Sequence, residues 1–491
     1  MTGSEPDGAV HRVAIVGAGF SGLAMAIRLK KSGEHDFVVL EEADDVGGTW
    51  RENTYPGCAC DIPSYLYSYS FEPNPRWTRQ YPRQQEIWDY LRHCTAKYGI
   101  TPHIRYGARM VRAEFDDDAK LWRLDTAGGT TILARIVVGA MGPLHQPSMP
   151  DIAGLERFAG EKFHSARWNH GHDLTGRRVA VIGTGASAIQ FVPQIAKTAA
   201  AVRVFQRTAP WVVPKQDRWI GSREHAAYRL LPPLQRLRRA AIYWLHEVRV
   251  LGMVFNPRLM KVAEKVATAH LHRQVADPEL RRRLTPDYQI GCKRILLSDD
   301  YYPALAQPHV DLVTEKISEV REHGVVTADG VEHEVDTIIF GTGFRVIDAL
   351  DSQPIVGAGG VKLQDAWRGG VEAYYGMTVS GFPNLFLLAG PNTGLGHNSI
   401  VFMIEAQVRY VMRCIRMLQD NRASLLNVRA QTQRAFNDRL QAKLNDTVWG
   451  SGCRSWYLDD AGRNRTIWPG FTFSYWWRTR RPRGADFEVI A

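Results

Sequence analysis

Cysteine is scarce in this chain. Cys58, Cys60, Cys94, Cys292, Cys414 and Cys453 include no zinc-ligand pair and no C-x-x-C. This spacing excludes a zinc ribbon and a thioredoxin-type redox motif, and it makes a reducing compartment the natural setting. Cys58 and Cys60 are separated by one residue, the wrong spacing for a disulfide reductase. No apolar run reaches membrane-spanning length, so integral membrane association is not expected. Met1 to His11 are polar and lack the basic and apolar blocks of a signal peptide, which makes a cytoplasmic protein the expectation. The net charge of +10 comes from dispersed basic residues without a recognised nucleic-acid motif. Dinucleotide phosphates and general solubility account for it better than nucleic acid does. With 45% hydrophobic and 23% charged residues, the chain has the composition of a globular enzyme of about three domain-sized units.

Glycine, by contrast, stands in two matched places. Arg12-Val13-Ala14-Ile15-Val16 runs into Gly17-Ala-Gly19-Phe-Ser-Gly22, and Leu23, Ala24, Ala26, Ile27 and Leu29 follow at helical spacing. Gly17 allows the tight turn, Gly19 lets a pyrophosphate approach the backbone, and Gly22 lets the helix pack on the strand. The phosphates would then meet the N–H groups at the positive end of the helix. The pattern returns at Val179-Ala180-Val181-Ile182 and Gly183-Thr184-Gly185-Ala186-Ser187-Ala188, 166 residues later, with Ala188 in place of the third glycine.

The strand that follows each turn indicates the nucleotide. Phe37-Val38-Val39-Leu40 ends on Glu41, whose carboxylate suits the two hydroxyls of an adenosine ribose. Val202-Arg203-Val204-Phe205 ends on Gln206-Arg207-Thr208, and the Arg207 guanidinium suits a 2′-phosphate that a carboxylate would repel. The expectation is FAD at the first turn and NADPH at the second.

Two strand-to-glycine exits, Ala134–Val138 into Gly139-Ala-Met-Gly142 and Asp336–Phe340 into Gly341-Thr-Gly343, are expected to carry the chain between domains. The predicted fold is α/β, with two Rossmann-like dinucleotide-binding domains, the second inserted into the first. The FAD domain would occupy 1–149 and resume over 336–491, with the NADP domain at 150–335. Residues about 218–290 mix leucines with arginines and predict a helical subdomain, read as a cap over a substrate cleft. A basic amphipathic helix lying on a membrane is the other reading of that stretch. Tyr65, Tyr67, Tyr69 and Phe71 alternate as in a strand. The aromatic, basic C-terminus from Ser455 to Arg481 predicts either a segment folded near the cofactors or a packed terminus.

Gly47-Gly48-Thr49-Trp50-Arg-Glu-Asn-Thr-Tyr55-Pro56-Gly57-Cys-Ala-Cys-Asp61 resembles the flavin-side signature of Baeyer–Villiger monooxygenases. Phe158-Ala-Gly160-Glu-Lys-Phe-His164-Ser-Ala-Arg-Trp168 resembles their linker fingerprint. Trp168 is the position at which nitrogen- and sulfur-oxidising flavin monooxygenases usually differ, while Asn169 departs from the family's Pro or Asp. The resemblance implies that Gly48, Thr49, Trp50 and Tyr67 line the flavin, together with Gly390-Pro391-Asn392-Thr393. It places Gly183 to Ala188, Gln190, Arg207, Thr208 and Lys293 at NADP. Gly396-His397-Asn398-Ser399 is a variant stretch. Read without the resemblance, Lys293-Arg294 is a solvated charge pair, Asp61-Ile-Pro-Ser64 a turn, and His164 with Trp168 packing at a domain junction, with no metal site.

The activity so implied is NADPH- and O₂-dependent conversion of a ketone to an ester or lactone through a flavin peroxide, with sulfoxidation as a side activity. Arg294 would be the fixed cation over the flavin, stabilising the peroxide anion and the oxyanion of the adduct. Asp61 would position it. The alternatives are a flavin monooxygenase confined to nitrogen or sulfur, and a flavin- and NADPH-binding redox sensor without oxygenation. Neither the ketone nor the oligomeric state is written in the sequence.

Overall fold

A computed structural model describes residues 8–346, 354–453 and 455–490; residues 1–7 of the polar N-terminal segment lie outside them. The strand Val10–Val16 lies between Phe37–Leu40 and Thr131–Gly139, parallel to both. Val13, Ala14, Ile15 and Val16 are all buried, as a central parallel strand covered on both faces requires. Alternation sends Val13 and Ile15 into one core with Leu23 and Ile27, and Ala14 and Val16 into another with Val38 and Leu40. The helix Phe20–Lys31 buries nine of its residues and ends on Arg28, Lys30 and Lys31, favourably placed at the negative end of its dipole.

Thr131–Gly139 changes partner along its length. Its first half joins the antiparallel meander Met110–Asp116 and Leu121–Thr126, whereas Val137–Gly139 pairs with the returning strand Leu385–Leu387. The first sheet is therefore completed by a segment 246 residues downstream of the strand it joins. The second sheet is wholly parallel, in the spatial order Val310–Val313, Ala201–Phe205, Arg178–Ile182, Thr337–Phe340, Glu161–His164. The fold is α/β with two Rossmann-type units. Thr337–Phe340, assigned by sequence to the returning segment, pairs inside the second sheet; we propose accordingly that the chain crosses back at Gly341–Gly343.

The stretch after residue 218 is helical: Ser222–Leu230, Pro232–Glu247, Met260–Gln274 and Pro278–Leu284, with a π-helical turn at Leu251–Phe255. The aromatics of 65–71 do not form a strand. Leu66 and Tyr67 both donate their N–H to the Pro63 carbonyl, which turns the backbone, so the alternation reflects packing of a coiled loop. Tyr69 is fully buried and its hydroxyl donates to the Phe20 carbonyl (2.7 Å). The cysteines also depart from expectation. Cys292 and Cys453, 161 residues apart, form a disulfide, whereas Cys58 and Cys60 are buried free thiols. Burial pushes the Cys58 thiol up to about 12 and raises Cys60 as well, which leaves both inert near neutrality.

The C-terminal segment folds back onto the first unit around Arg465, whose side chain is fully buried. It donates to Glu372 (2.7 Å), Asp459 (2.8 Å) and the Gly369 carbonyl (3.0 Å). Arg465→Ala removes a fully buried cation and leaves Glu372 and Asp459, both only partly exposed, without their shared partner. It is expected to cost about 3–5 kcal/mol of stability, read from urea unfolding; a loss below about 1 kcal/mol would show that the carboxylates find other partners.

Candidate active site

Both glycine turns are built to receive a phosphate. A Cβ on Gly17 (φ +103°) would stand 2.6 Å from the Ala140 carbonyl oxygen, and one on Gly22 would overlap the Gly17 carbonyl. At Gly19 the nearest atom to such a Cβ is the Gly48 Cα, 3.7 Å away, so this face is open at the start of the helix. The second turn repeats the arrangement. A Cβ on Gly183 (φ +110°) would meet the Gly341 carbonyl at 2.5 Å, whereas at Gly185 the nearest contact is 3.9 Å. The tight glycines are closed by the protein itself, and the middle ones are left free for a ligand. These residues fit two dinucleotides.

Glu41 is buried at the end of the second strand. Its Oε2 accepts from the Ala18 N–H (2.8 Å), and its Oε1 from the Ala43 N–H (3.1 Å) and Arg51 Nη1 (2.8 Å). Arg51 also reaches Glu52 at 2.9 Å. Burial acts to depress the Arg51 pKa, but the Glu41 and Glu52 charges outweigh it and hold it raised. At the equivalent corner of the second unit Arg207 is exposed, and the Thr208 carbonyl accepts from Thr184 Oγ1 (3.3 Å). Lys293 lies over the Tyr288 ring at 4.5 Å. Its pKa is lowered by burial and then by Arg207, so two cations converge where a 2′-phosphate is expected.

A pair is drawn from both units. Arg294 donates to Asp61 Oδ2 from Nε (2.9 Å) and from Nη2. Asp61 closes the loop after Gly57, while Arg294 precedes the short strand Leu296–Leu297, which pairs with Val212–Val213. Burial pushes the Asp61 carboxyl up, yet Arg294, its hydrogen bonds and Lys215 push it down further, so it is ionised at neutral pH. The Asp61 charge raises Arg294 above an already high value, leaving a permanent cation. The nearby wall is aromatic: Trp50 Nε1 donates to the Tyr67 hydroxyl (3.0 Å), and Phe20 meets Tyr67 edge-on at 5.1 Å. Gly142, Pro143, Gly390, Pro391 and Thr393 line one cavity where the first exit faces the returning segment.

Residues 14–230 match the pyridine nucleotide-disulphide oxidoreductase family. A Baeyer–Villiger monooxygenase of Pseudomonas aeruginosa is 50% identical over 483 residues, covering 98% of this chain and 92% of that protein. One from Streptomyces coelicolor is 48% identical, with 98% and 92% covered. The chain belongs to the Baeyer–Villiger monooxygenase family. Among solved structures, oxidised steroid monooxygenase bound to NADP superposes with a TM-score of 0.88 at 29% identity, covering 98% of this chain and all of that one. OTEMO in complex with FAD and NADP gives 0.89 at 27%, covering 98% and 99%.

Within this family member, several sequence-selected residues have their polar atoms engaged within the protein. Gln190, expected at NADP, accepts from the Ala59 N–H (2.9 Å) and donates to the Ala186 carbonyl (2.8 Å) and the Tyr55 hydroxyl (3.3 Å). It ties the two units together. Asn392 Nδ2 donates to the carbonyls of Asn464 (2.8 Å) and Ile467 (3.2 Å), holding the C-terminal segment. Thr49 begins the short helix after Gly48, and its carbonyl accepts from Asn53; Ser187 precedes the helix that Ala188 begins. His164 is buried, with its ring depressed to about 4 by burial, and Trp168 packs on Phe163 and Phe191 at the junction.

Two residues escaped the sequence reading. Arg51 lies inside the flavin-side signature but has no motif of its own. Lys215, with Nζ 5.3 Å from the Tyr81 ring centre, is half-buried beside Asp61; burial lowers its pKa against the Asp217 and Asp61 charges. Among the described residues Glu42, Glu52 and His145 are close enough to hold a metal ion. His145 instead bridges the two carboxylates at 3.0 Å to each, and they raise its pKa to about 10.

Arg207→Ala is expected to narrow the preference for NADPH over NADH by about tenfold or more, since a guanidinium–phosphate contact is lost; an unchanged ratio of kcat/KM would remove Arg207 from phosphate reading. The raised pKa of His145 means its contribution to stability is full below about pH 6.5 and fades as pH rises through about 10. His145→Gln should therefore lower Tm at about pH 6 and cease to matter above about pH 10. An equal loss of Tm at both ends would contradict the ion-pair origin.

Proposed function

We infer that this protein is an NADPH- and O₂-dependent flavin monooxygenase that converts ketones to esters or lactones, and that Arg294 is its catalytic cation. The observation that carries the assignment is the Arg294–Asp61 pair, which joins one residue from each of the two phosphate-receiving units. When bound, NADPH supplies a hydride and FAD the activation of O₂. Glu41 would hold the ribose of FAD, with Gly17, Gly19 and Gly22 giving its pyrophosphate access to the helix start. Arg207 and Lys293 would hold the phosphate by which NADPH differs from NADH.

Arg294 presents a charge that cannot be lost by deprotonation, which suits it to stabilising negative charge that develops on the ketone oxygen. Asp61 fixes two guanidinium nitrogens through a single oxygen and so sets the direction of the remaining donor, Nη1. Asp61 is a positioning residue. Trp50 packs on Tyr67, which packs on Phe20, and these buried rings would help keep water from a bound flavin. The substrate is a neutral carbonyl compound, and thioethers are secondary substrates.

Arg294→Ala is expected to keep flavin and most NADPH oxidation while lowering ester formation by about 100- to 1000-fold. The readout is mass spectrometry of products from labelled O₂ and a panel of linear, cyclic and aromatic ketones with thioethers. Labelled esters or lactones from the wild type support the reading. Sulfoxides alone would favour a heteroatom oxygenase, and NADPH loss with only hydrogen peroxide would favour a redox role without oxygenation.

A further inference from the structure

More than half of the large apolar side chains exposed among the described residues fall between Trp219 and Val266, a stretch of 48 residues. The helix Pro232–Glu247 is the centre of this patch, and it is amphipathic in the reverse sense. Its inward face is largely polar. Gln235 donates to the Asn74 carbonyl (2.7 Å), Arg239 to the Tyr65 carbonyl (2.7 Å), and His246 bonds the His397 carbonyl (3.0 Å). Glu247 accepts from the Thr472 N–H (2.9 Å) and Asn398 (3.2 Å). The outward face carries Leu234 and, three, ten and eleven residues later in helical register, Leu237, Trp244 and Leu245, flanked by Leu230, Leu231 and Val248. Leu230 is 79% exposed, Leu237 and Leu245 67% each, and Trp244 54%.

The patch continues beyond this helix. Leu251, Phe255, Leu259, Val262 and Val266 are exposed along the next turns, and the C-terminal helix Thr472–Arg478 joins them through Phe473, whose ring lies 5.8 Å from Trp244. A polar interior and an apolar exterior on one helix are opposite to what a water-facing cap requires. The apolar area also exceeds what scattered surface leucines explain.

Charge decides among possible occupants. Residues 218–266 contain ten Lys and Arg against three Glu. Of these acids, Glu247 is buried and bonded inward and Glu224 pairs with Arg218 (3.0 Å). Arg223, Arg229, Arg236, Arg238 and Arg258 are exposed beside the leucines, and Arg480 lies 4.4 Å over the exposed Trp477. A second copy would bring this basic face against itself across a two-fold axis, setting arginine against arginine. The complement must be anionic at its surface and apolar beneath it.

We propose that the outer face of the helical cap docks on an anionic phospholipid bilayer, with the leucines and tryptophans entering the headgroup boundary and the arginines meeting lipid phosphates. Long basic side chains reach past an apolar face to a polar layer, and tryptophan settles at such boundaries. The docking is peripheral: among the described residues no helix is long and apolar enough to cross a membrane. The inner side of the same element holds the 65–68 loop next to Tyr67, and Met253 of the π-helical turn lies 3.4 Å from where a Cβ on Gly396 would stand. A lipophilic ketone dissolved in the bilayer would thus lie against the cap of the site that oxidises it. The docking itself does not depend on that activity.

The test is flotation of FAD-loaded enzyme with vesicles of phosphatidylcholine alone and with about a third phosphatidylserine, at low and high salt. The expectation is binding to the anionic vesicles, weakened by salt. The double variant Leu237→Glu, Leu245→Glu should reduce it by about tenfold or more, as should Arg236→Glu with Arg238→Glu, with flavin content unchanged in both. Absence of binding to either vesicle, or equal binding by wild type and both variants, would overturn the proposal. So would a concentration-dependent dimer in sedimentation that the leucine variant dissolves while the wild type ignores vesicles, since a second copy would then be the occupant. Capture by an acidic protein without flotation would do the same.

Discussion

The ion pair between Asp61 and Arg294 joins residues 233 positions apart in the chain, so it exists only if two separately folded units keep a fixed distance. A pair whose side chains are 31% and 35% exposed contributes little to stability by itself, because water screens it. Its geometry therefore depends on the contact around it. Gln190 closes that contact through Ala59 and Tyr55, and a Cβ on Gly57 would stand only 2.7 Å from the Gln190 carbonyl, so the loop leading to Asp61 lies directly on the second unit's helix. Arg79 with Asp217 (2.7 Å) and Thr54 with His170 (2.8 Å) fasten the same seam at other points. Arg294 is placed by an interface, and the interface is assembled mainly from short loops with neutral hydrogen bonds.

The same logic applies to the segment that carries Arg294. Gly291 adopts φ +94°, Cys292 is joined to Cys453, and the strand after Arg294 is short, with Leu296 donating to the Trp211 carbonyl (2.9 Å). Tyr457, four residues beyond Cys453, is buried where it feels the Arg294 charge. The C-terminal segment is thus both anchored at Arg465 and brought up to the back of the site. Its aromatic residues are packing surfaces at one end of the segment and part of the active-site surroundings at the other.

Features governed by local backbone rules were legible in the sequence. The glycine turns, the buried strands before them and the helices after them follow from the positive φ of Gly17 and Gly183 and the closeness of Gly22 to the Gly17 carbonyl, which act within a few residues. Glu41 and Arg207 were legible because a strand end beside such a turn has only one direction in which to point. What escaped is set by contacts across the chain. Nothing near Gln190 indicates that Ala59 will occupy its amide, and nothing near Thr337 indicates that it pairs with Glu161 and Val179 rather than with the first sheet. The alternation at 65–71 misled for a related reason: the loop turned at Pro63 buries Leu66 and Ser68 as well as Tyr65, Tyr67 and Tyr69, so the spacing of the rings does not mark one face of a strand. The Cys292–Cys453 link has no local signal at all.

The corners beside the two glycine turns differ in charge, and on the function proposed above this difference would sort their ligands. At the first corner Glu41 is partly offset by Arg51, which leaves its carboxylate oriented and able to accept hydrogen bonds, while still presenting negative charge to a ribose. At the second corner Arg207 and Lys293 converge. A 2′-phosphate brought to roughly 5 Å from a carboxylate, at an effective dielectric of about 20, meets about 3 kcal/mol of repulsion per unit charge. That is about two orders of magnitude in affinity, before the attraction at the second corner is counted. The sorting must be robust because the glycine turns themselves are nearly interchangeable: each offers an open middle glycine and a helix start to any pyrophosphate. With the turns alike and the corners differently charged, FAD goes to the first turn and NADPH to the second on the proposed reading.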